Sequence, residues 1–343
     1  MAQSPAWSST SACSELCTDG GCAKFPSCQG GGAGADTSCG PGSSSDTGTT
    51  TDCCSSFDVA GGSFDRSFDG VSYTSNVNPA TVSSFRLDGF EATVGRFRNF
   101  VNAVANMNWT PAPGSGKHTH LNSGAGLTAV GVDGGGSEQG WQASWPALPT
   151  SSGTWDSNLA SCAGSTWTNS AMGSEHNPIN CITWYEAYAF CIWDGGFLPS
   201  EAEWNYAAGG GSEQREYPWP DTAGPADAMP PDISCAFANY SPTAGAPCTP
   251  GGAANDVGSE SPLGDGKWGQ SDLAGNVFEW TLDTFVPYVT PCSDCANFGA
   301  GGARVNRGGS SNLVAGVALS SYRNNDPPTT RDASIGVRCA RVP

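Results

Sequence analysis

Residues 177–211 read NPINCITWYEAYAFCIWDGGFLPSEAEWNYAAGGG. Thr183 and Glu186 stand three apart, the spacing of a capping box, in which hydroxyl and carboxylate each satisfy an orphan backbone N–H of a helix start. Behind that start, Trp184, Tyr188, Cys191 and Ile192 fall on one helical face, and Gly195 and Gly196 supply the stop. The same design follows at once. Ser200 and Glu203 form a second box, Trp204, Ala207 and Ala208 line a buried face, and Gly209 ends the helix. Two short capped helices in tandem, flanked by Gly-rich chain, predict a fold of brief elements and much ordered loop.

Composition agrees. Gly (47) and Pro (24) are abundant among 343 residues while charged residues are only 13%, which argues against a helical bundle. Twelve Trp, 14 Phe and 8 Tyr supply the apolar payload for a core. The net charge of −18 argues against nucleic acid as a partner, since few cations exist to displace counterions from phosphates. No run of 18 apolar residues suits a transmembrane segment.

Fifteen cysteines need either metals or disulfides. The single C-x₂-C pair, Cys292 and Cys295, and three scattered histidines give no zinc pattern, so disulfides in an oxidising compartment are expected, with Cys292–Cys295 a local bridge. The expected location is secreted, extracellular or at the cell surface. MAQSPAWSST has neither the basic nor the apolar region of an export leader, so the expectation is that a leader has been removed. An odd count leaves one thiol free or shared with another chain.

Residues 1–55 hold seven cysteines among Gly, Ser, Thr and Asp, with almost nothing apolar to bury, and read as a cysteine-rich stalk or tether. From 56 to 343 the chain reads as one domain. FDVAGGSFDRSF and VSSFRLDGFEA alternate like strands, and Val94, Phe97, Val101 and Val104 recur at helical spacing behind Thr93 as N-cap. Residues 110–165 are Gly/Ser/Pro-rich, and Trp141, Trp145, Trp155 and the adjoining Trp167 predict an irregular insert pinned by aromatics.

In order, the stretch 177–211, then EYPWP, DLAGNVFEW, RVNRGGS and SIGVRCAR resemble the successive motifs of the formylglycine-generating enzyme, or sulfatase-modifying factor, superfamily. The resemblance implies an α+β, C-type-lectin-like fold with low regular secondary structure, a small twisted antiparallel sheet and a few short helices. It implies an oxidase that converts a substrate cysteine to formylglycine on copper(I) held by two cysteines shortly after R-G-G-S. Here Arg307–Ser310 is followed by no cysteine before Cys339, so copper and that chemistry are not expected. A second branch of the superfamily makes C–S bonds with iron from a three-His module, which three histidines in all cannot supply.

The resemblance further implies a disulfide between Cys191 and Cys339, and structural calcium around DLAGNVFEW. Asp272 and Glu279 would give carboxylate oxygens, Gly275 and Val277 backbone carbonyls, a hard-oxygen set suited to that ion. A second calcium site would use Asn239 and Tyr240.

Among other residues, His118 and His120 would face one side of a strand and share a metal, or lie in a solvated loop, the simpler reading. His176 reads as a turn residue. In the segment 311–334, Asn312, Tyr322, Arg323, Asn324, Asn325 and Arg331 offer adaptable hydrogen-bonding groups. The equivalent stretch is the ligand surface of retroelement-diversified receptors that share the fold. The alternative is that Arg323 and Arg331 pair with nearby carboxylates. The expected function is a secreted or surface-attached binding and display protein, with a protein or glycan ligand. The alternatives are an oxidoreductase and a structural subunit of an extracellular assembly.

Overall fold

The computed structural model describes residues 15–18, 21–29, 33–35, 39, 52–131, 135–220, 233–243, 245–299 and 302–343. Four α-helices occur among them. Helix α1 (Val94–Met107) starts where Thr93 caps the N–H of Arg96 and ends at Asn108 in the left-handed conformation. Helix α2 (Ser152–Leu159) is capped by Ser151. Helices α3 (Trp184–Trp193) and α4 (Glu201–Ala208) both carry complete capping boxes, Thr183 with Glu186 and Ser200 with Glu203.

The sheet is dispersed into small pieces. The largest orders Asn324–Asp326, Arg304–Arg307, Phe278–Thr284 and Ile335–Gly336; its last pair is parallel and the others antiparallel. A three-stranded antiparallel sheet joins Ala340–Arg341, Phe85–Asp88 and Ser56–Val59. Another holds Gly62–Asp65, Pro79–Val82 and Cys292–Ser293, the last pair again parallel. The expected small antiparallel sheets are present, and parallel pairs add to them. They arise where distant stretches, such as Ile335–Gly336, are laid beside an existing strand.

The core is aromatic. Phe97, Phe100, Trp155 and Phe190 meet edge to face, joining α1, α2 and α3. Trp141 and Trp145, from the irregular insert, pack on Tyr188 of α3. Each such pair adds about 0.5–1.5 kcal/mol beyond burial. Helix α4 is buried all round, Glu201, Glu203 and Asn205 included, so its apolar residues are not confined to one face as the spacing suggests. A polar group survives such burial only with partners, and all three have them.

Part of the region expected to be a tether is docked instead. Ser27 donates its N–H to Asp194 at 2.8 Å and accepts from Arg96 at 2.9 Å, and Phe25 lies under the Arg341 guanidinium. Cys28 is bonded to Cys54 and Cys39 to Cys53. Beneath them Arg96 and Arg341 share Asp88 and Asp194, all sealed from solvent. A few anchoring residues thus tie otherwise Gly/Ser-rich chain to the domain. No helix among the described residues is long and apolar enough to cross a membrane.

Candidate functional site

Cys191 of α3 and Cys339 of the C-terminal stretch are joined by a disulfide, as are Cys292 and Cys295. Cys162–Cys181 and Cys235–Cys248 are two further bridges. With the two N-terminal bridges, every cysteine from Cys28 to Cys339 is paired. The side chains of Cys13, Cys17 and Cys22 lie outside the described residues.

Arg307–Ser310 turns the chain out of the central strand. Gly309 has φ +79°, and a Cβ there would come within 2.8 Å of the Ala318 backbone, so only glycine fits. Beyond the turn, Leu313 and Val314 are exposed, and Asn312 accepts a hydrogen bond from the Ser310 hydroxyl. Neither sulfur nor imidazole stands in this stretch. A soft-metal site built on two thiolates does not fit these residues.

Beside the turn lies a charged knot. Glu201 accepts from Arg307 at 2.6 and 3.1 Å, from Arg323 at 2.5 and 2.7 Å, and from the Tyr288 hydroxyl at 3.0 Å. Burial pushes this carboxyl up, but Arg307 and Arg323 outweigh it and hold the group below the usual range. Arg307 also donates to the carbonyls of Ser320 and Tyr322, and Arg323 lies over the rings of Tyr288 and Phe285. Arg331 is paired with Glu186 and bonded to the Cys181 carbonyl. Asn324 donates to Asn306, Asn325 sits opposite Val305 in the sheet, and Tyr322 packs against two core clusters. In the segment 311–334 both arginines are spent on carboxylates, Arg331 on Glu186 of α3 and Arg323 on Glu201 of α4.

Around Asp272 the sequence-derived calcium set divides. Glu279 is fully buried, bonded through both oxygens to Arg338 and through one to the Trp204 indole at 2.7 Å. Glu279, expected to give carboxylate oxygens to calcium, is thus neutralised by Arg338. The Asn239 carbonyl accepts from the Asn276 N–H, and its side chain is bonded to Thr249, Asn255 and Asn276. The Tyr240 hydroxyl is bonded to the Ile233 carbonyl. Gly275 has φ +86°, and a Cβ there would strike the Asn239 carbonyl at 2.3 Å, so the two loops are closely apposed.

Asp272, by contrast, is short of positive charge. Burial first, then the neighbouring Glu260, pushes it up to about 8. Glu260 Oε2 is buried without a partner among the described residues, and Glu91, fully buried, is driven well above the usual range by burial and by Asp272 and Glu279. Asp272, Glu260 and Glu91 thus make an under-neutralised acidic patch beside the Gly turn, but their oxygens do not form a tight metal-ligating group among the described residues. The single tight group of metal-ligating side chains among the described residues, Cys28, Asp52 and Cys54, has its sulfurs joined in a disulfide.

His118 is neither on a strand nor solvated. It is fully buried between Glu138 on Nδ1 and Glu203 on Nε2, both at 3.0 Å. Burial disfavours its charge, but Glu203 and Glu138 raise it to about 10. His120 stacks on Phe197, and its two buried nitrogens have no partner among the described residues. His176 accepts the N–H of Gly34 in a turn. Sequence reasoning missed Glu138 and Glu260 because each lies in a stretch without periodicity, and Glu91 because the strand-like alternation around it gives no sign of its distant partners Asn276 and Val277.

These features define a class: a disulfide-braced, C-type-lectin-like α+β domain with its motif loops gathered around α3 and α4. Residues 44–343 match the sulfatase-modifying factor enzyme 1-like domain, and the chain belongs to that family. The formylglycine-generating enzyme of Streptomyces coelicolor is 33% identical over 183 residues, 49% of this chain and 54% of that protein. Hercynine oxygenase of Mycolicibacterium thermoresistibile is 33% identical over 177 residues, 48% of this chain and 35% of that one. The matches thus span about half the length of the first relative and a third of the second. Treponema denticola variable protein 1 shares the fold at TM-score 0.51 and 19% identity, over 84% of this chain and 95% of that structure.

Proposed function

We propose that this chain is an extracellular or cell-surface binding and display module on the formylglycine-generating scaffold, without the oxidase chemistry. One observation carries the reading: every cysteine from Cys28 to Cys339 is locked in a disulfide, and hydroxyl, amide and alkyl groups occupy the stretch after Ser310. Copper(I) held by two thiolates has no ligands there. The same bridges favour an oxidising compartment. The partner is a protein or a glycan. It docks on the segment 311–334, where Asn312, Leu313 and Val314 are exposed and Tyr322, Asn324 and Asn325 are half-buried. Arg323 and Arg331 hold that segment rigid through Glu201 and Glu186, so little ordering entropy is lost on binding. A calcium ion at Asp272, with the carbonyls of Gly275 and Val277, serves a structural role.

The test is incubation of the full chain with copper(I), dioxygen and a Cys-x-Pro-x-Arg peptide, followed by mass spectrometry. The expected result is unchanged peptide. Conversion of the cysteine to an aldehyde over repeated turnovers overturns the reading.

A further inference from the structure

Nine arginines of this chain meet a carboxylate. Arg66 and Arg304 have none among the described residues. Arg66 donates instead to the carbonyls of Asn78 and Val289 and lies over Tyr288. Arg304 is different. It forms one wall of a cleft of about 320 Å³ between the Trp-rich insert, α3 and the central sheet. Its guanidinium lies 4.0 Å over the Trp184 ring, and one N–H reaches the Leu282 carbonyl at 2.9 Å. A guanidinium has five donors. The remaining ones have no protein partner among the described residues.

In a chain with 32 acidic residues against 14 basic ones, a carboxylate for this arginine would be easy to supply. Arg304 is half-buried, and burial lowers its hold on the charge, with Asp283 only partly opposing. Stacking on Trp184 offsets part of that cost. The rest calls for an anion presented from inside the cleft, and a planar carboxylate matches the guanidinium fork.

The other walls define what carries the carboxylate. Trp145, Tyr188 and Phe298 give ring faces and edges suited to the apolar face of a small ring. Gln139 and Gln142 bring amides to the same cleft, each giving one of its two N–H donors to a carbonyl, of Ser137 and Gly140. Their amide oxygens are left to accept from ligand hydroxyls. Gln142 is half-buried, and an aromatic acid, with fewer hydroxyls than a sugar, that left its oxygen covered and unpaired would lose about 1–3 kcal/mol. The volume sits at the low end of the roughly 300–1,000 Å³ of small-ligand sites, room for one or two rings.

We infer that the Arg304 cleft binds a hexuronate residue of an acidic saccharide, its carboxylate on Arg304, its apolar face on the Trp145 and Tyr188 rings and its hydroxyls on the two glutamines. This deepens the binding reading above and rests on it, at residues separate from the 311–334 surface.

Isothermal titration of the full chain with trigalacturonate tests it, against the methyl ester of the same oligomer and against 4-hydroxyphenylacetate. Expected are saturable binding of trigalacturonate and roughly 10- to 100-fold weaker binding of the ester, the effect of losing a hydrogen bond to a charged group. Arg304→Gln should lose the acid by the same factor, and Arg304→Lys should recover part of it. Failure of the native chain to bind trigalacturonate, equal binding of acid and ester, tighter binding of 4-hydroxyphenylacetate, or an unaltered Arg304→Gln titration each overturns it. The ester comparison uses the native protein, so it holds whether or not the variant folds. Aldehyde formation in the peptide assay would remove the wider reading and leave this titration to be judged separately.

Discussion

The carboxylate of Glu203 closes the capping box of α4 and, with the same Oε2, holds the fully buried imidazole of His118 at 3.0 Å. One oxygen thereby fixes a helix start and ties the irregular insert to it. Glu138 meets the other ring nitrogen, Nδ1. Replacing His118 by Ala leaves two carboxylates without their cation. The expected cost is about 3–5 kcal/mol, read as a lowered denaturation midpoint in urea.

The same triad sets a pH dependence. His118 is raised from 6.5 to about 10 by Glu203 and Glu138 against the cost of burial, so its contribution is complete below pH 6.5 and is lost as pH climbs through 10. Glu203 is held below its usual 4.5, burial opposing and His118 prevailing, so its contribution is present above 4.5 and lost as pH falls. The melting temperature should fall between pH 6.5 and 10. A His118→Gln variant should show a flatter alkaline limb, and a limb as steep as the native one would refute the assignment.

Glu201 bears on the binding surface. Two guanidiniums, Arg307 and Arg323, converge on it while its side chain is almost wholly buried. Glu201→Ala should destabilise by about 3–5 kcal/mol. Arg323→Ala should lower the melting temperature even without ligand, because this arginine positions the segment rather than reaching outward. Substitution of exposed Val314 should leave stability within about 0.5 kcal/mol and change only partner binding.

How much of this was legible in the sequence depends on range. Both capping boxes and the Thr93 cap were readable because their partners lie three residues apart. The motif order carried the fold. The bond of His118 to Glu203 crosses 85 residues and its bond to Glu138 crosses 20 without any repeating pattern, so no local rule finds them. Composition misled at residues 25–28, where Phe25 and one disulfide anchor chain that has little else to bury. The Arg304 cleft is assembled from the insert, α3 and the strand Arg304–Arg307, and exists only once all three are in place.

Calcium should act through Asp272. A ligand that binds only the folded chain stabilises it by about 2.7 kcal/mol at a hundredfold excess over Kd. Millimolar calcium is expected to raise the melting temperature of the native chain and not that of Asp272→Asn. An equal rise in both would place the ion elsewhere.

Fifteen cysteines and six described bridges leave Cys13, Cys17 and Cys22 to be accounted for, and an odd set cannot close within one chain. Thiol titration of the denatured, unreduced protein should give one equivalent per chain, or none together with a dimer that reductant dissolves. The second outcome favours a role in a cross-linked assembly.

The bridge from Cys191 to Cys339 closes the longest of the described disulfide loops, spanning 148 residues. Constraint of the unfolded chain by such a loop is worth about 4–5 kcal/mol in the chain-entropy account. Both cysteines are fully buried, one on α3 and one just before the final strand, which pairs with Phe85–Asp88. Arg338 and Arg341 flank the bridge and carry the ion pairs to Glu279, Asp88 and Asp194. Loss of the bridge therefore frees a stretch that three buried carboxylates depend on. The Cys191→Ala, Cys339→Ala double variant should lose about that 4–5 kcal/mol in chemical denaturation, and hydrogen exchange should rise first at 337–341. Uniform loss of protection across the chain would instead show that this stretch opens only with the whole domain.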